Sequence, residues 1–268
     1  MKDATIEYNL GKAYYMRSAN PRNLSAPVSK SLLWEFNQSP YKWRHGVEKE
    51  TTKAMELGTL IHAAILEPNL PLDEIAAVSP YSDFRTKAAQ EWRDDARAMG
   101  KMIATDADIR AASGCEAVFS EDYAQRFAGG YKSEVAVFAT IGATEIKGMI
   151  DLVPDNLDLL VDLKTTAKIG SLRSITNTIV DRGYHWQAAL YLDLWNAASG
   201  EKRTRFVICF IEVEAPHETA WVEISPELIT EGRIGYMNAL ARWQACCATD
   251  YWPRQHEGIT TIAKPAYL

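Results

Sequence analysis

The 268-residue chain carries 29 basic and 35 acidic side chains, a net charge of −6 and a pI near 5.5, with 47% hydrophobic residues. That length supports one large core or one domain with an appended part. The acidic balance does not advertise nucleic-acid binding, although a local basic patch can hold phosphates whatever the net charge. The four cysteines, Cys115, Cys209, Cys246 and Cys247, make no Cys-x-x-Cys, which excludes a zinc pattern and a small disulfide framework and fits a reduced, cytoplasmic setting.

In chain order, residues 1–27 are expected to form a flexible N-terminal segment, closed by the breaker cluster Asn20-Pro21 to Ala26-Pro27. The opening Met1 to Glu7 lacks a signal-peptide core, and no run of about eighteen apolar residues occurs, so no membrane association is expected. Ser29 can cap a short helix reaching Phe36 and stopped by Ser39-Pro40. Trp34, Phe36, Tyr41 and Trp43 follow closely, as a packed helix and loop or, less readily, a nucleic-acid stacking surface. Helices are predicted over Thr51–Leu66, Asp83–Met99 and Asp106–Phe127, the last ended by Gly129-Gly130. Three strands come next, Glu134–Thr140, Thr144–Val153 and Leu157–Lys164, forming a meander. Helices over Ser171–Val180 and Tyr184–Ala198, strands Arg203–Val213 and Glu218–Ile224, and a closing helix Pro226–Ala248 complete the order. The expected class is α/β (α+β), a central mixed sheet flanked by helices. Residues 28–268 are expected to form one domain: a helical part 28–130, a sheet core 131–225, and a closing helix and tail 226–268.

The chemistry concentrates on two adjacent strands. Asp162 and Lys164 are two apart, so they share a strand face, while Leu163 points into the opposite core. The turn signal Pro154-Asp155-Asn156 lets Asp151 approach Asp162. Two carboxylates and an amine on one apolar sheet face suit a magnesium-dependent phosphodiesterase, because buried charges need partners or a metal. His62 lies close to the apolar stripe of its helix, as a core histidine or a metal ligand. Glu134 is placed either to support a metal or as a strand-end acid. Gln187 and Tyr191 lie on one helix face, since they are four apart. Thr165 and Thr166 end the strand and can contact phosphate or simply enter a loop; Lys168, Arg173 and Arg182 can line a DNA track or be scattered surface charge.

Four blocks in order carry a resemblance: Gly58-Thr59-Leu60-Ile61-His62, Gly148-Met149-Ile150-Asp151, Asp162-Leu163-Lys164 and Gln187-Ala188-Ala189-Leu190-Tyr191, preceded by Val28-Ser29-Lys30-Ser31-Leu32-Leu33. Together they resemble the RecB-like branch of the PD-(D/E)XK nucleases, and most closely its RecE-type exodeoxyribonuclease domain. The resemblance implies that His62, Asp151, Asp162 and the Leu163 carbonyl bind a divalent metal, magnesium or manganese, with Glu134 as a further candidate. It implies that Lys164 orients or deprotonates the attacking water, and that Gln187 and Tyr191 shape the substrate side. It also implies cleavage of linear double-stranded DNA in the 5′ to 3′ direction, a toroidal homo-oligomer, and a single-strand annealing protein as partner in recombination. The adjacent Cys246 and Cys247 depart from the four-cysteine pattern of some relatives, so no iron–sulfur cluster is expected. An endonuclease or single-strand exonuclease on the same core, or a non-catalytic DNA-binding module, are the alternatives.

Overall fold

The computed structural model describes residues 1–8, 10–11, 14, 17–47, 51–256, 258–259, 261 and 263–264. Among these, the centre of the molecule is a seven-stranded mixed sheet. Its strands are β1 (Lys2–Glu7), β2 (Val28–Ser29), β5 (Tyr131–Ile141), β6 (Thr144–Pro154), β7 (Leu159–Thr166), β8 (Arg205–Glu212) and β9 (Thr219–Glu223). They run in the order β1-β5-β6-β7-β8-β9, with β2 pairing on β6. The expected α/β class with a central mixed sheet is therefore borne out. β5, β6 and β7 form the expected antiparallel meander, whereas β8 lies parallel to β7. A parallel neighbour needs a crossover, supplied by α7 (Leu172–Asp181) and α8 (Tyr184–Ser199).

Each face of the sheet buries its own core. On one side α1 (Lys30–Gln38), α7, α8 and α9 (Pro226–Thr249) cover Val135, Val137, Ile150, Leu160 and Ile208. On the other, α3 (Lys53–Leu66) and α6 (Asp106–Arg126) cover Leu152, Val161, Leu163 and Cys209. The alternation Leu160, Asp162 against Val161, Leu163 is the period-two pattern of a strand buried on both faces. The helices start where side-chain caps allow: Ser29 accepts from Leu32 N, Thr52 from Met55 N, and Thr105 forms a capping box with Asp108.

The structure corrects several expectations. Within the segment expected to be flexible, Lys2–Glu7 is a strand that pairs with β5, because the β5 edge offers backbone groups that need partners. Positions 9, 12, 13, 15 and 16 of that segment lie outside the described residues, as do 257, 260, 262 and 265–268 of the irregular tail. Ser39 does not only stop α1; its side chain accepts from Lys42 N and opens a further helix, α2 (Pro40–His45). The charged helix expected over Asp83–Met99 is shorter, α5 (Lys87–Ala98), and begins at a Thr86 cap. Before it come a single turn, α4 (Leu72–Ile75), and β3 (Ala76–Val78); β3 pairs with β4 (Met102–Ala104), both too short to leave a periodic signal.

The aromatic residues of α1 and α2 close the molecule. Phe36 and Trp43 pack with Trp243 of α9 and Trp252 of the tail, at centroid separations of 4.7 to 6.4 Å. The packed reading of this stretch holds for Phe36 and Trp43. At the other end of α9, Gly232 lets the helix cross the start of α8. A Cβ there would lie 2.1 Å from the His185 carbonyl oxygen, and backbone cannot give way as a side chain can. Gly232→Ala is expected to destabilise the fold by about 1–3 kcal/mol through overpacking. A urea midpoint equal to wild type would contradict this crossing.

Candidate active site

The site lies where β6 and β7 part. The two strands share the register pair Leu152↔Val161, and one residue before Leu152 the Asp151 side chain turns into the gap. There its Oδ2 accepts the Leu163 backbone N–H at 2.7 Å, which ties the two strands together through a carboxylate. A change of face produces this placement. Along β5, Val135 and Val137 face the α8 core, yet the Ser133 hydroxyl donates to the Leu66 carbonyl of α3. Along β6, Ile150 faces the α8 core and Leu152 the α3 core. Residues two apart share a face on an unbroken strand, so both strands turn over at Glu134 and Asp151. Glu134 adopts φ of +49°, a left-handed conformation uncommon outside glycine, and the ladder Val135↔Ile150, Ser133↔Leu152 sets it across from Asp151. Such outliers cluster at functional sites.

α3 brings His62 to these acids. Its Nδ1 lies 3.9 Å from Asp151 Oδ2, and one ligand atom from each of His62, Glu134 and Asp151 falls within 4.8 Å of the others. Asp162 stands alongside on β7. Its Oδ1 accepts from Gln187 Nε2 at 2.6 Å, and its Oδ2 lies 2.6 Å from Lys164 Nζ. Beyond that ion pair, no hydrogen-bond donor among the described residues reaches the buried Oδ2. Asp162 is 1% exposed. Buried carboxylate oxygen with spare lone pairs, beside two more acids and an imidazole, fits a hard divalent cation.

The electrostatics agree. Burial pushes Asp162 up to about 6 against the pull of Lys164. Glu134 rises to about 8 through burial and then the charges of Asp151, Glu67 and Asp162. Asp151 is raised by burial, with Lys164 and the Leu163 N–H opposing. His62 falls to about 4, first by burial and then by the charge of Lys164, so its imidazole is neutral and able to ligate. Burial works against the Lys164 ammonium, but Asp162 and Asp151 outweigh it and hold the proton.

Sequence reasoning missed two residues. Lys30 is 7% exposed and donates to the Arg182 carbonyl at 2.7 Å. Burial, and then repulsion from Lys164, lowers it to about 7. Its spacing from Leu33 on α1 marked it for the buried stripe. The Tyr184 ring centroid lies 4.9 Å from Lys164 Nζ, a cation–π contact; its place one turn before Gln187 was the available signal. Tyr191 sits farther along α8, over Gly148, where a Cβ would come 2.8 Å from its ring. The glycine of the Gly-x-x-Asp block thus lets α8 lie close on β6. Thr165 and Thr166 follow Lys164 half-buried, and Thr166 Oγ1 is held by the Lys168 backbone. Lys168, Arg173 and Arg182 are exposed and do not join the cluster.

A family model described as a PDDEXK-like domain of unknown function (DUF3799) matches residues 29–265. The chain belongs to this family. The resemblance to PD-(D/E)XK proteins read from the four motifs is thereby borne out. No curated protein matches the chain. A crystal structure from Eubacterium rectale, described as a "putative exonuclease", aligns with a TM-score of 0.63 at 16% identity, over 95% of this chain and 94% of that one. This likeness establishes a shared fold. A phage-related exonuclease from Haemophilus somnus aligns at 13% identity over 85% of this chain and 97% of its own, with a TM-score of 0.38. An alkaline exonuclease from Laribacter hongkongensis gives 14%, 70%, 94% and 0.31 for the same quantities. Neither of these two alignments is close enough to carry an argument. No helix among the described residues is long and apolar enough to cross a membrane.

The raised carboxyl groups make stability depend on pH and on cation. Asp162 and Glu134 hold protons to about 6 and about 8 in the fold, against 3.8 and 4.5 for the ordinary side chains. The unfolded chain releases them first, so without cation these groups cost stability as pH rises through that window. A divalent cation bound by the ionised acids adds about 2.7 kcal/mol at a hundredfold excess over its Kd. Thermal melts should therefore show a larger magnesium-induced rise in Tm at pH 8 than at pH 5.5, reduced in Glu134→Gln. An equal rise at both pH values would contradict the site.

Proposed function

We propose that this protein is a divalent-metal-dependent deoxyribonuclease that digests linear double-stranded DNA from its ends. The observation that carries the reading is the Lys164–Asp162 pair facing the same gap in the sheet as Asp151, Glu134 and His62. Membership of a PDDEXK-like family supports it. His62, Glu134, Asp151, Asp162 and the Leu163 carbonyl would hold magnesium or manganese. When bound, such a cation supplies positive charge that neutralises the scissile phosphate and acidifies a water.

The chain's own residues do the rest. Gln187 fixes Asp162 through its 2.6 Å bond, and Asp151 is fixed by the Leu163 N–H, so both carboxylates meet substrate without reorganising. Lys164 enters as an ammonium, because the carboxylates hold its proton. It orients the attacking water and offsets negative charge on the phosphorus oxygens. As those carboxylates are engaged elsewhere, the same lysine loses the pull that keeps it protonated, releases one ammonium proton to solvent and, as the free amine, takes the proton of the attacking water. The water oxygen bonds to phosphorus as the bond from phosphorus to the departing ester oxygen breaks, and that oxygen takes up a proton from solvent. Lys168, Arg173, Thr165 and Thr166 follow the site along the chain and are proposed to meet the DNA backbone, together with Arg182.

The finer reading follows the RecE-type resemblance: 5′ to 3′ digestion leaving 3′ overhangs, a ring-shaped homo-oligomer threaded by the duplex, a cytoplasmic role in recombination, and a single-strand annealing protein as partner. Digestion of end-labelled linear duplex with magnesium, beside a covalently closed circle, tests it. Loss of the 5′ label with the circle intact is expected. Cutting of the circle would assign an endonuclease instead. Asp162→Asn and Lys164→Ala should each lower cleavage by about a hundredfold or more while circular dichroism stays native. Undiminished turnover in either variant would sink the assignment.

A further inference from the structure

Tyr41 is the aromatic residue of the early stretch that the core leaves out. It lines an open cavity of about 540 Å³ between α2 and the C-terminal tail, with Arg44, His45, Trp252, Arg254 and His256. We propose that this cavity is a second nucleic-acid site, which holds one nucleotide unit of a strand away from the acidic cluster.

Charge and shape both point to that occupant. The chain as a whole is acidic, at −6, yet this cavity gathers two arginines and two histidines around a single carboxylate, Asp250. Asp250 is already engaged: it accepts from Trp252 Nε1 at 2.8 Å and lies 3.8 Å from Arg44. The Arg44 Nε–H is buried and has no acceptor among the described residues. A buried donor of this kind costs stability until an acceptor arrives, and a phosphate oxygen is a strong one. The Arg254 guanidinium lies 4.5 Å from the Tyr41 ring centroid, and the His45 ring lies 4.7 Å from that centroid on the same helix. The Arg254 guanidinium beside the Tyr41 ring, with the His45 ring inclined at 48° to it, offers flat faces on which a base can stack, with the phosphate beside it. An acidic peptide would use the cations and leave the rings idle.

The floor is rigid, since Trp252 is packed against Trp43 and Trp243. The place is separate from the catalytic gap. Lys30, at the start of α1, faces Lys164, whereas Tyr41 lies beyond the far end of α1, whose nine residues rise about 13 Å. A nucleotide here would leave the acids free to act on another part of the strand. That the strand is DNA rests on the nuclease reading above.

The test is fluorescence anisotropy of a labelled oligothymidylate bound to the full chain in EDTA, where nothing is cut. Arg254→Glu and His45→Glu change exposed side chains. Each is expected to weaken binding roughly tenfold, the order of one lost stacking or phosphate contact. Turnover of a small chromogenic phosphodiester with magnesium, which needs only the acidic cluster, should be unchanged. Oligonucleotide affinity equal to wild type in both variants would overturn the site. Thymidine monophosphate distinguishes the source. If it displaces the oligonucleotide at equal concentration, the site stands with a free nucleotide as occupant; if it does not, the strand is the occupant. Failure of the nuclease reading looks different: wild type would turn over neither the small diester nor DNA, while the two variants still lost binding.

Discussion

The architecture depends on keeping three carboxylates and an ammonium inside an apolar sheet. Charges removed from water are costly unless paired, ligated or neutralised. Here Asp162 is paired with Lys164 and steadied by Gln187, and Asp151 takes a backbone N–H. Glu134 has no cation of its own in the cluster, and its carboxyl is pushed up to about 8 by burial and its acidic neighbours. Three acids and an imidazole gathered in this way suit a hard divalent cation, and the fold holds them in place before any such ion binds.

The surrounding elements serve that arrangement. β5 and β6 turn over together at Glu134 and Asp151, which moves two acids from an ordinary alternation to the mouth of the gap. Leu163 anchors the loaded strand in the opposite core at 0% exposure. α8 is held on both sides, by α1 through the edge-on contact of Trp34 with Trp186 at 4.9 Å and by α9 across Gly232. That clamp sets the reach of Gln187. Lys30 then links α1 to the α7–α8 turn through the Arg182 carbonyl. Packing and the geometry of the acidic cluster are thus carried by the same elements.

Much of this was legible in the chain. The Asp162-x-Lys164 spacing names a shared strand face because the strand period is two. Gln187 and Tyr191 share a helix face for the equivalent reason in a helix. Tyr191 packs over Gly148 of β6, a contact that spacing along α8 does not encode. The strand Lys2–Glu7 was hidden for another reason: its alternation is only two apolar residues long, Ala4 and Ile6, and the β5 edge about 130 residues later stabilises it. The early aromatics read as one group, yet Phe36 and Trp43 are core while Tyr41 lines a cavity.

Local periodicity and motif order were enough to establish a helix-flanked sheet carrying two acids and a lysine, because each strand or helix sets side-chain direction from its own residues. Tertiary structure alone decided how those directions converge. The left-handed turn at Glu134, the burial that neutralises His62 and lowers Lys30, and the meeting of α2 with the tail around Arg44 and Arg254 each depend on residues far apart in the chain. Desolvation and long-range contact are properties of the packed molecule, and no window of sequence contains them.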